Sequence, residues 1–117
     1  MIFEKITKDV INDLKLNIDE EKILYAYKDD SNNIIGMIAI YKDCNTLLDF
    51  YITDKYQGQG YGKKMVKDAL SLLKMNNYKE VDFVVNRSEI KAIKIITSLG
   101  GQHLSNIENL SRYKILL

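Results

Sequence analysis

Proline and tryptophan are absent from the 117 residues, and cysteine and histidine occur once each, as Cys44 and His103. A lone cysteine excludes an internal disulfide and a cysteine cluster around a metal. A lone histidine removes most zinc-site designs. No apolar run approaches the roughly 20 residues of a membrane-spanning helix. Glu4 and Lys5 place acid and base too early for a signal peptide. Charge of one sign is also missing. Seventeen basic residues face sixteen acidic ones for a net charge of +1, which gives no case for the basic face of a nucleic-acid binder. These absences lead us to expect a cytoplasmic protein with no metal, no nucleic-acid partner and no membrane segment. Without proline, turns fall to Gly, Asn and Asp.

What is present is an ordinary globular balance, 46% hydrophobic and 28% charged, which argues against disorder. A chain of this length should form one domain over residues 1–117 and bury roughly two thirds of its unfolded surface. Residues 2–6 alternate as a short strand. Thr7 is placed to cap a helix carrying Val10, Ile11, Leu14 and Ile18 on one face. Residues 22–28 and 34–41 read as strands around the turn cluster Asp29-Asp30-Ser31-Asn32-Asn33, which makes a hairpin, and 46–52 as a third strand after a turn at 42–45.

Tyr61 to Met75 then shows helical spacing, with apolar residues at 61, 65, 66, 69, 70, 72 and 73. A strand over 79–85 leads to a helix that Ser88 is placed to cap, with Ile90, Ala92, Ile93, Ile95, Ile96 and Leu99 on its apolar side. Gly100-Gly101 fits a left-handed helix stop. Strands near 102–106 and 110–117 complete the order β-α-β-β-β-α-β-α-β-β. The fold class is α/β (α+β): helices flanking a mixed, mostly antiparallel sheet.

The stretch that carries chemistry is Gln57-Gly58-Gln59-Gly60-Tyr61-Gly62, between a strand and an amphipathic helix. Alternate glycines let a ligand approach the backbone, and the helix start offers free N–H groups to an anion. The alternative is a flexible turn. The spacing fits neither the dinucleotide fingerprint nor the nucleotide P-loop. Lys63, Lys64 and Lys67 follow at once; with Lys91 and Lys94 they also allow a weaker reading as a phosphate or nucleic-acid surface, although solvated lysines are the default on a polar helix face.

These residues resemble the GNAT superfamily of acyl-CoA-dependent N-acyltransferases, whose signature is Q/R-x-x-G-x-G/A. Ile52, Asp54 and Tyr56 stand where that family usually has an aliphatic residue, a proline and an aromatic. Asn86, Ala92, Ile93 and Leu99-Gly100 match its second motif, and the element order agrees. The resemblance implies a compact GNAT-like fold, acetyl-CoA as co-substrate and a primary amine as acceptor. It implies that the backbone from Gly58 to Lys63 holds the pyrophosphate, with Gln57, Gly58, Gln59, Gly60, Tyr61, Gly62 and Lys63 as the loop. Phe50, Tyr51 and Ile52 would splay from strand 79–85 and pair with the pantetheine arm. A backbone N–H near Ile52 would polarise the thioester carbonyl, and Asn86 would bind the amide arm or serve as a turn residue.

The amine must lose a proton before attack. Asp49 is the first candidate base; it is otherwise a solvent-facing strand residue. Glu89, as a helix first-turn acid, and Asp82, as an alternating surface residue, are weaker candidates, and His103 reads as structural or exposed. The family's usual tyrosine acid is replaced by Ile96, which leaves water, Tyr51 or Ser98 to protonate the thiolate. This departure keeps a second reading open, a non-catalytic acyl-CoA-binding module. The acceptor region falls to residues 7–21, which suggests a shallow, open acceptor site. The assembly is expected to be a monomer or homodimer.

Overall fold

A computed structural model describes residues 1–6, 22–42 and 46–117. The expected helix at 7–21 and the turn holding Cys44 lie outside the described residues. Seven strands form one sheet in the order β1-β2-β3-β4-β5-β7-β6. They are β1 (Ile2–Lys5), β2 (Lys22–Lys28), β3 (Ile34–Lys42), β4 (Thr46–Ile52), β5 (Glu80–Asn86), β6 (Gln102–Ile107) and β7 (Leu110–Leu116). Every neighbouring pair is antiparallel except β4 and β5. Two helices, α1 (Tyr61–Met75) and α2 (Ile90–Ser98), fill the connections on either side of β5, and a short 3-10 turn spans Asp54–Tyr56.

Local chemistry explains most boundaries. Asp29 closes the β2–β3 hairpin, because its carboxylate accepts the Ser31 and Asn33 backbone N–H groups and the Asn33 amide. Those hydrogen bonds hold its pKa below the usual aspartate value. Asn32 takes the left-handed conformation there at φ 67°, which asparagine tolerates better than most residues. α2 stops in a Schellman arrangement: Gly101 N–H donates to Ile96 C=O at 2.9 Å and Gly100 N–H to Thr97 C=O at 3.1 Å, with Gly100 at φ 96°.

The α2 start differs from expectation. Glu89 occupies the N-cap position without a capping side chain. Ser88 instead gives its N–H and hydroxyl to Asn86 Oδ1 at 3.0 and 2.8 Å. Ile90, expected on the apolar side, is exposed, because it begins the helix beyond the core's edge.

The core lies between the sheet and the helices. Met65, Val66, Ala69 and Leu73 of α1 and Ile96 of α2 pack with Ile38, Leu48, Val81 and Phe83. Tyr27 is fully buried and donates its hydroxyl hydrogen bond to Asp68 of α1; burial and that carboxylate push its pKa up. Asp82 departs from the surface position its alternation suggests. It is only 3% exposed and pairs with Arg112 at 2.9 Å, leaving Oδ1 without a partner among the described residues. Arg112 lies over it from β7, opposite the neighbouring Val84, so a polar position in the alternation became a covered one.

Candidate functional site

The central feature is a break in the sheet. β4 and β5 run parallel but share one register pair, Leu47 opposite Asp82. Beyond that pair the ends of the strands part. In an antiparallel ladder each residue turns its N–H and C=O to one side, alternating along the strand. Thr53 N–H donates to Ile35 C=O at 2.9 Å, so Thr53, Tyr51 and Asp49 turn towards β3. Phe50 and Ile52 therefore turn their backbone groups into the gap. Two side chains answer them. Asp49 Oδ1 accepts the Phe50 N–H at 2.9 Å, and Gln57 Nε2 donates to Ile52 C=O at 2.9 Å. The Phe50 C=O and the Ile52 N–H are the groups that remain aimed into the opening, and of these the N–H is the donor.

The gap continues into a groove of about 420 Å³, lined from β4 by Phe50, Tyr51 and Ile52, from the loop by Tyr56, Gln57, Gly58 and Gly60, and from the helices by Gly62, Lys63, Lys91, Ala92, Lys94 and Ile95. Gly58 and Gly60 hold φ values of 75° and 83°, and a Cβ on either would meet nothing within 4 Å. Their glycine identity thus answers to backbone conformation and to an open cradle, not to packing against the protein. Gly62 is different: a Cβ there would come within 2.9 Å of Ile95 Cδ1. That close approach seats α2 against the start of α1 and closes one wall of the groove.

A polar cluster ties the strand end to the loop. Asp54 Oδ1 accepts the Tyr51 hydroxyl at 2.9 Å and Gln57 Nε2 at 3.1 Å. The Asp54 carboxylate raises the Tyr51 pKa, so the phenol stays protonated across the ordinary pH range. Tyr56 and Tyr61 meet edge to face at 5.7 Å, which braces the loop from below.

The structure brings Phe50, Tyr51, Ile52, Gln57, Gly58, Gly60, Gly62 and Lys63 together along one groove. Gln59 and Tyr61 are not among its lining residues: Gln59 folds back to Lys55 C=O at 3.2 Å, and Tyr61 packs on Tyr56. Asn86 is exposed and makes the turn to Ser88. Asp49 is exposed on the other side of β4, beside a smaller hollow with Leu24, Met37, Ala39 and Tyr51. Ile96, at the position of the usual acid, is wholly buried. Ser98 turns its hydroxyl to Ile95 C=O at 2.8 Å. His103 is exposed, with Asn106 at 2.8 Å and its ring beside Tyr113.

Sequence reasoning named Tyr56 and Ala92 only as motif residues, Lys91 and Lys94 only as a weaker phosphate or nucleic-acid surface, and Ile95 only as an apolar helix position; none was placed in the groove. The three- and four-residue spacing of 91, 92, 94 and 95 marks one helix face, but only the packing of Ile95 on Gly62 turns that face into a wall. Among the described residues no acid or histidine cluster is arranged to hold a metal, and no helix is long and apolar enough to cross a membrane.

A split between parallel strands beside a glycine loop and a helix start is the arrangement that the resemblance to acyl-CoA-dependent N-acyltransferases led us to expect. The family model described as an acetyltransferase (GNAT) domain matches residues 3–101. The chain belongs to this family and is an acyl-CoA-dependent N-acetyltransferase. The fold is shared with a domain from Methanocaldococcus jannaschii, at TM-score 0.80 and 17% identity over 99% of this chain and 97% of that one. It is shared also with the spermidine N-acetyltransferase of Vibrio cholerae in its dodecameric form, at TM-score 0.76 and 16% identity over 92% of this chain and 71% of that one. No curated protein matches the chain by sequence.

Proposed function

We propose that residues 1–117 form one domain that transfers the acetyl group of acetyl-CoA to a primary amine by direct attack in a ternary complex. The observation that carries this reading is the Ile52 N–H aimed into the β4–β5 opening, continuous with a loop whose Gly58 and Gly60 leave open space. The donor's diphosphate sits on the N–H groups from Gly58 to Lys63, where the helix dipole favours negative charge. The pantetheine arm runs along Phe50, Tyr51 and Ile52. Asn86, at the end of β5, is the side chain proposed for the amide arm.

The Ile52 N–H stabilises the oxygen as the amine nitrogen adds to the thioester carbon. The tetrahedral species collapses with cleavage of the C–S bond, and the thiolate leaves as CoA. Asp49 is the carboxylate proposed to take the amine proton; its hydrogen bond to Phe50 N–H fixes it beside the same strand end. Tyr51 lines the groove but its hydroxyl donates to Asp54, and Ser98 donates to Ile95 C=O, so water is the acid proposed to protonate the thiolate. With a thiol pKa near 8.5, the departing group makes a small demand on any acid, so Ile96 does not preclude turnover.

Calorimetric titration with acetyl-CoA, together with release of free CoA thiol across a panel of amines, tests this reading. Binding with turnover supports it. Binding without turnover on any amine assigns a non-catalytic acyl-CoA-binding module instead. No binding removes both.

A further inference from the structure

The end of β4 has open space on both of its faces. Behind the groove lies the smaller hollow, with a volume of about 130 Å³. Its floor is Leu24, Met37 and Ala39, which the β2–β3 and β3–β4 registers set side by side with Asp49 and Tyr51. On β3, Met37 and Ala39 alternate with Ile38, which packs towards α1, so the hollow opens on the opposite face of the sheet. Phe50 and Tyr51 line both spaces, which therefore stand back to back beside the Ile52 N–H. Among the described residues Asp49 is the one ionised group lining the hollow. Its Oδ1 holds the Phe50 N–H, and its other oxygen has no partner among the described residues. Tyr51 forms a wall shared with the groove. Its hydroxyl is bound to Asp54 at 2.9 Å, which holds the ring in place.

We infer that the acceptor seated in this hollow is a primary monoamine carrying a compact apolar group, the size of a branched five-carbon chain or a single ring. The inference rests on the acetyl-transfer reading and narrows its substrate. An apolar cavity of roughly 150 Å³ accepts benzene, which sets the scale. Leu24, Met37 and Ala39 take the apolar group out of water. The ammonium end lies between the free oxygen of Asp49 and the face of the Tyr51 ring, where charge pairing and a cation–π contact favour it. One carboxylate matches one ammonium. A second ammonium on the same molecule would lie over an apolar floor without a counter-charge, and its desolvation would go uncompensated. In the reaction Asp49 takes one proton from the ammonium, and the nitrogen adds to the thioester carbon beside the Ile52 N–H. The new N–C bond stays and the C–S bond breaks, while the second nitrogen proton passes through water to the thiolate.

Release of CoA thiol with methylamine, isoamylamine, benzylamine and spermidine tests this. The kcat/KM should be at least about tenfold higher for isoamylamine and benzylamine than for methylamine or spermidine, since filling an apolar pocket by even one methylene is worth about tenfold. Ala39→Leu fills the floor opposite Asp49 and should cut the ratio of benzylamine to methylamine about tenfold. Met37→Ala enlarges the floor and should raise the ratio of naphthylmethylamine to benzylamine by a similar factor. Acetyl-CoA binding, read by calorimetry, checks that each variant is folded, because neither residue lines the groove; if one variant does not fold, the other decides. If spermidine equals or exceeds isoamylamine, or if either folded variant leaves its ratio at the wild-type value, the inference is overturned and acetyl transfer stands. If no amine is acetylated although acetyl-CoA binds, the transfer reading fails first and takes this inference with it.

Discussion

Gly60→Ala separates what the loop does for folding from what it does for a ligand. Gly60 is the N-cap of α1, at φ 83°, and a Cβ there meets nothing within 4 Å. The substitution therefore creates no clash in the free protein. Its cost is conformational, about 1–2 kcal/mol for placing an L-residue in the left-handed region. A domain with roughly 5–15 kcal/mol of stability absorbs that loss, and the melting temperature should fall by about 3–8 °C. The ligand effect should be larger. The added methyl projects into the open space beside the loop where the diphosphate is proposed to rest.

Acetyl-CoA at a hundred times its Kd should stabilise the wild type by roughly 2.7 kcal/mol, and Gly60→Ala should lose more than half of that shift. Gly60→Asn sharpens the comparison, because asparagine accepts positive φ more readily. It should recover most of the unliganded stability without recovering the ligand shift. Thermal melts with and without acetyl-CoA give both quantities. An unliganded loss above about 3 kcal/mol would mean that the methyl meets the protein. A full ligand shift in the alanine variant would remove the loop from the binding site. Either result refutes the reasoning.

Three other outcomes follow from the packing and the titrating groups. Gly36→Ala puts a methyl 2.6 Å from Tyr51 O and 2.8 Å from Met65 Sδ, so it should cost about 1–3 kcal/mol by overpacking, seen as a lower urea midpoint with an unchanged slope. Tyr27→Phe removes the hydroxyl that meets Asp68 and should cost about 1–2 kcal/mol at neutral pH. Because the folded Tyr27 pKa is raised, its contribution is present below the unfolded tyrosine pKa and lost as pH rises through the folded value. The wild type should thus lose stability in strong base more steeply than the variant. Asp29 has the opposite sign. Its folded pKa is lowered, so its contribution is present above the unfolded aspartate pKa and lost as pH falls through the folded value. Denaturation midpoints measured across the acid range should be less pH-dependent in Asp29→Asn than in the wild type, and equal slopes would rule the hairpin carboxylate out.

Elements with a strong local signal were legible in the chain. The Asp29–Asn33 turn carries its own hydrogen-bond acceptor, so the hairpin follows from a few neighbouring residues. The 3.6-residue spacing from Tyr61 to Met75 and the glycine stop after α2 are equally local, and both helices form as the pattern dictates. Ser88 misled because an asparagine two residues earlier competes for its donors. Asp82 misled because strand alternation tells which face a residue takes, not whether another side chain covers it; Arg112, 30 residues away, decides that.

The sequence by itself therefore determined the strands and helices that surround the site, the glycine loop, and the family to which they point. Tertiary structure decided what the groove is made of. Where β4 parts from β5 depends on a single register pair between strands more than 30 residues apart, and no periodicity within either strand encodes it. That parting leaves backbone groups of Phe50 and Ile52 facing an opening instead of a neighbouring strand. Whether Lys91 and Lys94 are solvated or line the groove depends on one contact, Ile95 on Gly62. Secondary structure is set by neighbours a few residues apart, whereas a binding surface is assembled by contacts between segments distant in the chain, and these lysines acquire their partner groove only when α2 packs against α1.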